Sequence, residues 1–318
     1  MRHAIIICTK NREEDVIKLL LTIKKNDINH DFIKIIIGDS TEPEKRFNDF
    51  KYRLFSDFPT LNIQHFFHLG GLPSARNACI QKIENEDLIH FFDDDVTIPT
   101  NYFSKIEEFL EENPNCSGGG PRIHGLYTTQ SSGLKKYLKR ILGLEVKFGR
   151  ITQSGRHYWV PDTTDAALDV EWIPGCSMFY KREIFNKFTF NATMENGPGK
   201  NYALGEDLDF SHRVSKVFSL KSIGELTVVH HQAPSKRDNW LLIAKASGAQ
   251  YSYLLRAFPD EFNSLKIHLG RFLDFIIMNR PINLKAFTNI YAQYLGYIRE
   301  FKRENKEQLI NLDQQKKP

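Results

Sequence analysis

The sequence predicts an α/β fold in which a mostly parallel sheet is wound with helices and followed by a C-terminal helical extension. Three observations support this prediction. Short apolar runs alternate with helical patterns through the first third of the chain, and polar residues follow the ends of these runs. From Asn239 onward nearly every segment has amphipathic helical spacing. Strands that alternate with helices build a parallel sheet with right-handed crossovers.

The first third of the chain contains four predicted strands and three predicted helices. The apolar runs have the length and composition of buried parallel strands, and they are Ala4–Thr9, Ile33–Ile37, Leu61–Phe67 and Leu88–Phe92. Apolar residues at helical spacing predict helices over Glu13–Lys25, Ser74–Ile83 and Tyr102–Leu110.

The rest of the chain is less regular. Its patterns predict a turn, a strand, a helix and a late strand, at Ser117–Pro121, Ala167–Ile173, Leu208–Val217 and Leu226–His231. Residues 134–150 carry six basic side chains among leucines and isoleucine. Further amphipathic helices are predicted over Phe262–Met278 and Leu284–Ile298. We place the boundary between the α/β domain, residues 1–233, and the helical extension, residues 234–318.

Composition excludes several classes of protein. The 318 residues carry a formal net charge of only +4, and the basic residues form no recognition module, which argues against nucleic-acid binding. Residues 234–318 hold 14 basic and 8 acidic side chains, a net charge of +6. No apolar run reaches the roughly 18 residues of a membrane span, and no signal peptide is visible. The four cysteines lack metal spacing, and we expect reduced thiols and a cytoplasmic protein.

An acidic triplet, Asp93-Asp94-Asp95, follows the fourth predicted strand directly. Three adjacent carboxylates repel one another, and a bound divalent cation compensates that repulsion. Oxygen ligands suit Mg²⁺ or Mn²⁺. Residues i and i+2 of an extended segment share a face, so Asp93 and Asp95 are placed to address one ligand while Asp94 turns elsewhere. The competing interpretation is an acidic turn that caps the next helix.

Polar residues also follow the first two predicted strands. Thr9, Asn11 and Arg12 end the first strand, and Asp39 ends the second. Ligands of open α/β sheets bind beyond the carboxyl ends of the strands, which makes these residues site candidates. A carboxylate such as Asp39 can accept an imide N–H, which uracil, thymine and guanine offer. Helix capping and turn formation remain the alternative roles of these residues.

A glycine-rich segment, Gly70–Asn77, precedes the third predicted helix. Glycine permits close approach of the backbone, and the start of a helix offers free N–H groups to phosphate. Arg76 can add a bidentate, charge-assisted contact. Taken alone, the segment is also an ordinary turn.

In combination, these residues resemble a family 2 glycosyltransferase of the GT-A fold, over roughly Ile5 to His231. The resemblance is carried, in this order, by Thr9–Arg12, Asp39, Gly71–Asn77, Asp93–Asp95 and Gly205–Phe210. It implies a GT-A nucleotide-sugar-binding catalytic domain over residues 1–233. It also implies an inverting, metal-dependent enzyme.

The resemblance implies roles for individual residues. Asp207, paired with Glu206, would be the base that deprotonates the acceptor hydroxyl. Asp95 and Asp93 would hold the metal ion, and His230 or His231 matches a histidine ligand found in part of the family. The segment from Trp172 through Gly175 and Cys176 resembles a Trp-x-x-Gly motif beside the sugar and acceptor. The implied nucleotide-binding residues are Thr9, Asn11, Arg12, Asp39, Arg76, Asp93 and Asp94.

The expected reaction moves a sugar from a UDP-, dTDP- or GDP-sugar to a hydroxyl of a glycan or lipid-linked glycan, with Mn²⁺ or Mg²⁺ as cofactor. Such an acceptor would place the protein at the inner membrane face, where the basic, aromatic extension is suited to peripheral contact. Packing of the extension on the catalytic domain is the other interpretation, and we favour it because long Tyr and Phe faces commonly meet protein. Two alternative functions remain, a non-catalytic nucleotide-sugar or glycan-binding protein and a sugar nucleotidyltransferase. The latter would need a glycine-rich loop after the first strand, where Thr9–Arg12 has no glycine.

Overall fold

The computed structural model describes residues 1–125, 137, 145, 147–194, 205–232, 240–270, 288, 291–296 and 298. Within these residues, eight strands form one sheet, and they are β1 (His3–Thr9), β2 (Ile33–Asp39), β3 (Asn62–Phe67), β4 (Leu88–Asp93), β5 (Val96–Thr97), β6 (Cys116–Ile123), β7 (Ser177–Lys181) and β8 (Ser219–His230). Their order across the sheet is β3-β2-β1-β4-β7-β6-β8-β5.

The first half of the sheet is parallel and brings its strand ends into line. β1 lies between β2 and β4 and pairs in parallel with both, and β2 pairs in parallel with β3. β7 is antiparallel to β4 and β6, β8 is parallel to β6, and β5 is antiparallel to β8. In this register Thr9 lies opposite Asp39, and Cys8 lies opposite Asp93. The polar residues that end these strands therefore meet at one edge.

Six helices with defined bounds cover the two faces of the sheet in the described part of the chain. They are α1 (Glu13–Lys24), α2 (Glu44–Asp57), α3 (Leu72–Ile80), α4 (Tyr102–Glu112), α5 (Glu206–Ser215) and α6 (Trp240–Ala257), with a further helical segment over residues 264–270. Side chains alternate along each strand. Accordingly, Ile5 and Ile7 pack with α1, α2 and α4, whereas Ala4 and Ile6 pack with α3, α5 and α6.

This architecture confirms the predicted α/β class with a mostly parallel sheet, and the first four strands and their helices lie where the sequence predicts them. Helix α2 was not predicted, although its buried Phe47, Phe50 and Leu54 lie on one face. The remaining positions of α2 are mostly charged or polar, and that composition weakens the helical pattern. The predicted late strand is the second half of the longer strand β8, which ends at His230.

Two predictions for the middle of the chain are wrong. Residues Ser117–Pro121 belong to strand β6 and do not form a turn, because their small size allows close approach of neighbouring strands. A Cβ added to Gly118 would lie 2.5 Å from the Tyr180 ring, and one added to Gly120 would lie 2.6 Å from Ile173. The segment Ala167–Ile173 is not a strand, since its only β contact is an isolated bridge at Asp169.

The described part of the C-terminal extension packs on the α/β domain. The Tyr253 hydroxyl of α6 donates to the buried Asp209 carboxylate of α5, with an O···O distance of 2.6 Å. Most of the basic stretch 134–150 and most of the predicted helices Phe262–Met278 and Leu284–Ile298 lie outside the described residues. No helix among the described residues is long and apolar enough to cross a bilayer.

Candidate active site

A cavity of about 630 Å³ opens at the carboxyl ends of β1, β2 and β4. One part of its wall comes from these strand ends and carries Thr9, Arg12, Asp93 and Asp94. Another part of the wall comes from the start of α5 and from the Pro174–Cys176 segment before β7. Because the parallel strands end in register, the strand-end residues singled out from the sequence come together along this edge.

The acidic triplet divides its carboxylates between two environments. The ligand atoms of Asp93, Asp95 and His230 all lie within 4.8 Å of one another. His230 Nε2 is 3.1 Å from Asp95 Oδ1 and 3.8 Å from Asp93 Oδ2. Two carboxylate oxygens and one imidazole nitrogen form a donor set that suits Mn²⁺ or Mg²⁺. These three residues could therefore hold a divalent cation.

Asp94 points away from this group, toward the end of β1. It accepts a hydrogen bond from the Thr9 hydroxyl at 2.7 Å and pairs with Arg12 Nη1 at 2.8 Å. Burial raises the pKa of Asp94 to about 7, against the opposing effects of Thr9 and Arg12. The second guanidinium nitrogen of Arg12 lies 2.9 Å from Asp95. Arg12 thus fixes two of the three carboxylates relative to β1.

His231 lies apart from the candidate metal ligands Asp93, Asp95 and His230. Its imidazole Nε2 lies 2.8 Å from the Thr97 hydroxyl, and its side chain is exposed. Only its backbone N–H reaches the triplet, donating to the carbonyl of Asp95 at 3.0 Å. Successive residues at the end of β8 point to opposite sides of the strand. The geometry therefore favours His230 over His231 as a ligand.

Two predicted nucleotide-binding residues do not line the cavity. Asp39 is wholly buried, and its carboxylate accepts the Thr41 N–H at 2.8 Å and lies 3.0 Å from His65 Nε2. Its neighbours Gly38 and Ser40 do line the cavity. Asn11 is exposed and has a φ of 58°, and its backbone N–H donates to the Thr41 hydroxyl oxygen at 2.8 Å. Nucleotide binding by these two residues stays a prediction.

The base candidate Asp207 stands at the start of α5 with both carboxylate oxygens held. Oδ2 accepts the Gly175 N–H at 2.7 Å, and Oδ1 accepts the Leu208 N–H at 2.8 Å. The preceding Gly205 has a φ of 87°, a left-handed conformation that glycine adopts without strain. Gly205 thereby turns the chain sharply so that both acids of the pair face the cavity.

Glu206 and the buried Arg76 form an ion pair beside this carboxylate. Arg76 Nη1 lies 3.3 Å from Glu206 Oε1, and Arg76 is only 3% exposed. Burial, followed by the charge of Asp207, raises the pKa of Glu206 to about 7, against the opposing charge of Arg76. Glu206 thus faces the Arg76 guanidinium, whereas Asp207 is held by backbone donors.

The Trp-x-x-Gly segment contributes backbone rather than its aromatic ring to the cavity. Gly175 and Cys176 line the cavity, but Trp172 packs between Trp159 and His157 in the core. Burial raises the pKa of the Cys176 thiol well above its usual value. The predicted set missed Cys8 and Ile123, which also line the cavity. Cys8 could have been predicted from its position directly before Thr9 at the end of the first strand. No feature of the sequence marks Ile123 as a cavity residue.

Several solved structures share this fold. The mannosyltransferase PcManGT from Pyrobaculum calidifontis, in complex with GDP-Man and Mn²⁺, is 14% identical, with a TM-score of 0.52 over 93% of this chain and 70% of that chain. GalNAc-T7 with UDP, GalNAc and Mn²⁺ is 11% identical, with a TM-score of 0.54 over 81% of this chain and 52% of that chain. S. aureus TarS 1-349 is 15% identical, with a TM-score of 0.50 over 92% of this chain and 81% of that chain.

The sheet order and the helices on both faces define a GT-A fold, which this chain shares with these structures. Residues 4–187, more than half of the chain, match the family described as glycosyl transferase family 2. The chain belongs to that family, as the resemblance in its motifs predicts. A comparison with curated proteins finds no match.

Proposed function

We propose that this protein is an inverting glycosyltransferase that moves a sugar from a UDP-, dTDP- or GDP-sugar to a hydroxyl of a glycan or lipid-linked glycan. The reaction would belong to cell-surface polysaccharide biosynthesis. One observation carries the proposal. Asp93 and His230, which group with Asp95 as candidate metal ligands, line the same cavity as the carboxylate of Asp207.

The strand-end wall is suited to the donor. A divalent cation held by Asp93, Asp95 and His230 would offset the negative charge that develops on the diphosphate leaving group. Thr9, Lys10 and Arg12 lie along the same wall, beside the glycines of the Gly70-Gly71 turn. Backbone N–H groups at the start of α3 are placed there to approach phosphate. Mn²⁺ in two of the similar structures supports Mn²⁺ or Mg²⁺ as the cofactor.

The α5 wall is suited to the acceptor. An acceptor hydroxyl must lose a proton as it attacks the anomeric carbon, and a positioned carboxylate can take that proton. Asp207 is held in one orientation by the Gly175 and Leu208 N–H groups. Because Glu206 is engaged by Arg76, a single carboxylate remains in position to act. One base without a covalent nucleophile supports inversion in a single displacement.

The proposal is tested by measuring the binding of a panel of nucleotides, with and without Mn²⁺, by thermal shift and calorimetry. UDP, GDP, dTDP, ADP and CMP are compared on the purified protein. We expect stabilisation by one of UDP, GDP or dTDP, and only with the metal present. Release of that nucleotide from UDP-glucose, UDP-N-acetylglucosamine, GDP-mannose or dTDP-rhamnose then identifies the donor. If none of the five nucleotides shifts the melting temperature with Mn²⁺ present, the proposal fails.

We also propose a cytoplasmic location with peripheral contact at the inner membrane face, where a lipid-linked acceptor would lie. The net charge of +6 over residues 234–318 supports this, because anionic headgroups attract basic segments. Large apolar side chains of the extension are exposed, among them Leu265 at 75% and Tyr291 at 64%.

A further inference from the structure

Arg76 lines the cavity, and its guanidinium makes several contacts within the protein. Its Nη2 donates to the carbonyl of Gly175 at 3.1 Å and lies 3.6 Å from Asp93 Oδ1. Its Nη1 lies 3.3 Å from Glu206. The Phe190 ring lies under the guanidinium, 5.2 Å from its central carbon. The guanidinium therefore bridges the Asp93 side and the Glu206 side of the cavity.

The neighbour of Arg76 on α3 fixes that arrangement. The Asn77 carboxamide donates to the Phe190 carbonyl at 2.8 Å and accepts the Phe190 N–H at 2.9 Å. These two bonds hold the Phe190 backbone, and through it the ring beneath Arg76. The Arg-Asn pair that the sequence places at the middle of α3 is therefore one unit, in which Asn77 anchors the aromatic support of Arg76.

Gly175 connects Arg76 to the base candidate. The Gly175 carbonyl accepts from Arg76, and the Gly175 N–H donates to Asp207 at 2.7 Å. A Cβ added at Gly175 would lie 3.0 Å from Arg76 Nη2 and 3.2 Å from Asp207 Oδ2. The next residue, Cys176, accepts the backbone N–H of Asp93 at 3.1 Å. The backbone of Gly175 and Cys176 is therefore held between Asp207, the base candidate, and Asp93, one of the candidate metal ligands.

We infer that Arg76 and Gly175 are positioning residues that hold Asp207 at a fixed distance from the donor wall. This inference rests on the proposed function, in which Asp207 takes the acceptor proton. It is an alternative to the nucleotide-binding role predicted for Arg76, which stays a prediction. A displacement of a reacting group by about 1 Å can cost about 10²-fold in rate, so fixing this distance matters for turnover.

Two variants test the inference, Arg76→Lys and Gly175→Ala. Lysine keeps the charge but loses the planar fork that reaches Gly175 and Glu206 together. We expect each variant to lower kcat for donor cleavage by about 10²-fold. We expect the calorimetric Kd of the nucleoside diphosphate that binds wild type, with Mn²⁺, to change by less than about threefold. Because both residues act through one contact, the double variant should be no slower than the slower single variant.

Arg213→Lys is the matched control. Arg213 pairs with Asp209 on α5, the helix that carries Asp207, and it does not line the cavity. The kcat of the Arg213→Lys variant should therefore stay within about twofold of wild type. Three results would overturn the inference. These are a tenfold or greater loss of nucleotide affinity in Arg76→Lys with kcat preserved, wild-type kcat in either variant, and additive losses in the double variant. If Arg76→Lys does not fold by thermal unfolding, Gly175→Ala decides alone by its kcat and Kd.

The wild-type protein separates the two proposals. If it neither binds a nucleotide with Mn²⁺ nor releases one from a sugar donor, the proposed function fails. If it does both while Arg76→Lys and Gly175→Ala keep the wild-type kcat, only the positioning role fails.

Discussion

Asp93, Asp94 and Asp95 are neighbours in sequence, yet they face different partners. Asp94 is engaged by Thr9 and Arg12, whereas Asp93 and Asp95 stand with His230. Mutual repulsion is therefore relieved in two ways, by the Arg12 guanidinium and by a donor set that suits a cation. The alternation of side chains at the end of a strand accounts for this division.

The two histidines at the end of β8 provide a matched pair of variants. We expect His230→Ala to weaken Mn²⁺-dependent nucleotide binding by at least about tenfold, because it removes one of the three candidate metal ligands. His231→Ala removes a side chain that contacts Thr97 instead and should bind like wild type. Calorimetric titration of the nucleotide with and without Mn²⁺ measures both. Equal affinities of the two variants would contradict the assignment of His230.

A second prediction concerns Asp207. We expect Asp207→Asn to lower turnover by roughly 10²–10⁴-fold, because the amide cannot accept the acceptor proton. Donor cleavage measures the rate, and thermal unfolding shows whether the fold is intact. Asp209→Asn is the control, since Asp209 lies on the same helix but contacts Arg213 and Tyr253. Near-wild-type turnover of the Asp207 variant would exclude Asp207 as the base.

At the residue scale, the sequence identifies candidates but does not orient them. Asp93 and Asp207 line the cavity and Asp95 lies with Asp93 and His230, because chain order and strand ends determine their location. The roles that the motifs imply for them stay predictions. Asp39 and Trp172 satisfy the same motifs, yet their side chains are buried against His65 and Trp159. Which way a side chain turns depends on partners distant in sequence, and a single sequence does not reveal those partners.

At the scale of elements, α5 links the site to the C-terminal extension. Gly205, which begins the helix, would collide with Gln250 of α6 if it carried a Cβ. One turn further, Asp209 accepts from Tyr253 of α6. The helix that carries the base candidate therefore rests on the extension. The helical spacing predicted both helices, but their contact joins segments separated by more than 40 residues and required the structure.

Strands β1 and β4 are joined by a buried histidine pair away from the cavity. His3 and His90 are both fully buried, with 2.9 Å between His3 Nδ1 and His90 Nε2. Burial lowers the pKa of both, although Glu107 opposes this at His3. The folded state therefore keeps these rings neutral at a pH where the unfolded chain already binds protons.

This pair predicts a pH-dependent contribution to stability in mild acid. As the pH falls below about 6.5, the unfolded state takes up protons at these two histidines that the folded state refuses, so their contribution to the free energy of unfolding decreases. Asp94 and Glu206, whose pKa is raised, act in the opposite direction, so the variant comparison isolates the histidine contribution. The slope is at most about 1.4 kcal/mol per pH unit for each histidine. Urea unfolding between pH 7 and pH 5 measures it, and His90→Phe should reduce the slope. Equal slopes for wild type and variant would refute the prediction. The pKa of Glu107 is lowered, so Glu107 contributes to the pH dependence of stability only when the pH falls below the usual titration range of a glutamate carboxyl.

At the scale of the whole molecule, charge and apolar exposure are distributed unevenly. Residues 1–233 carry 29 basic and 31 acidic side chains, a net charge of −2, against +6 for residues 234–318. Exposed Leu265 and Leu269 lie four residues apart, on one side of the helical segment 264–270. The His268 ring of that segment lies 6.5 Å from the Tyr294 ring, which places Tyr294 beside it. Basic charge and exposed apolar side chains are the two features that bind a protein to an anionic bilayer surface.

Co-sedimentation with vesicles tests this arrangement. We expect the protein to bind phosphatidylglycerol-containing vesicles at low salt and to dissociate as salt rises, because screening shortens the range of the attraction to about 10 Å at 0.1 M. Leu265→Asp should reduce binding, since it places a charge at a side chain that is 75% exposed. Tyr52→Asp alters a side chain of α2 that is 78% exposed and should bind like wild type. No sedimentation of wild type at low salt would remove the membrane proposal, while the proposed sugar transfer would still be decided by the nucleotide panel.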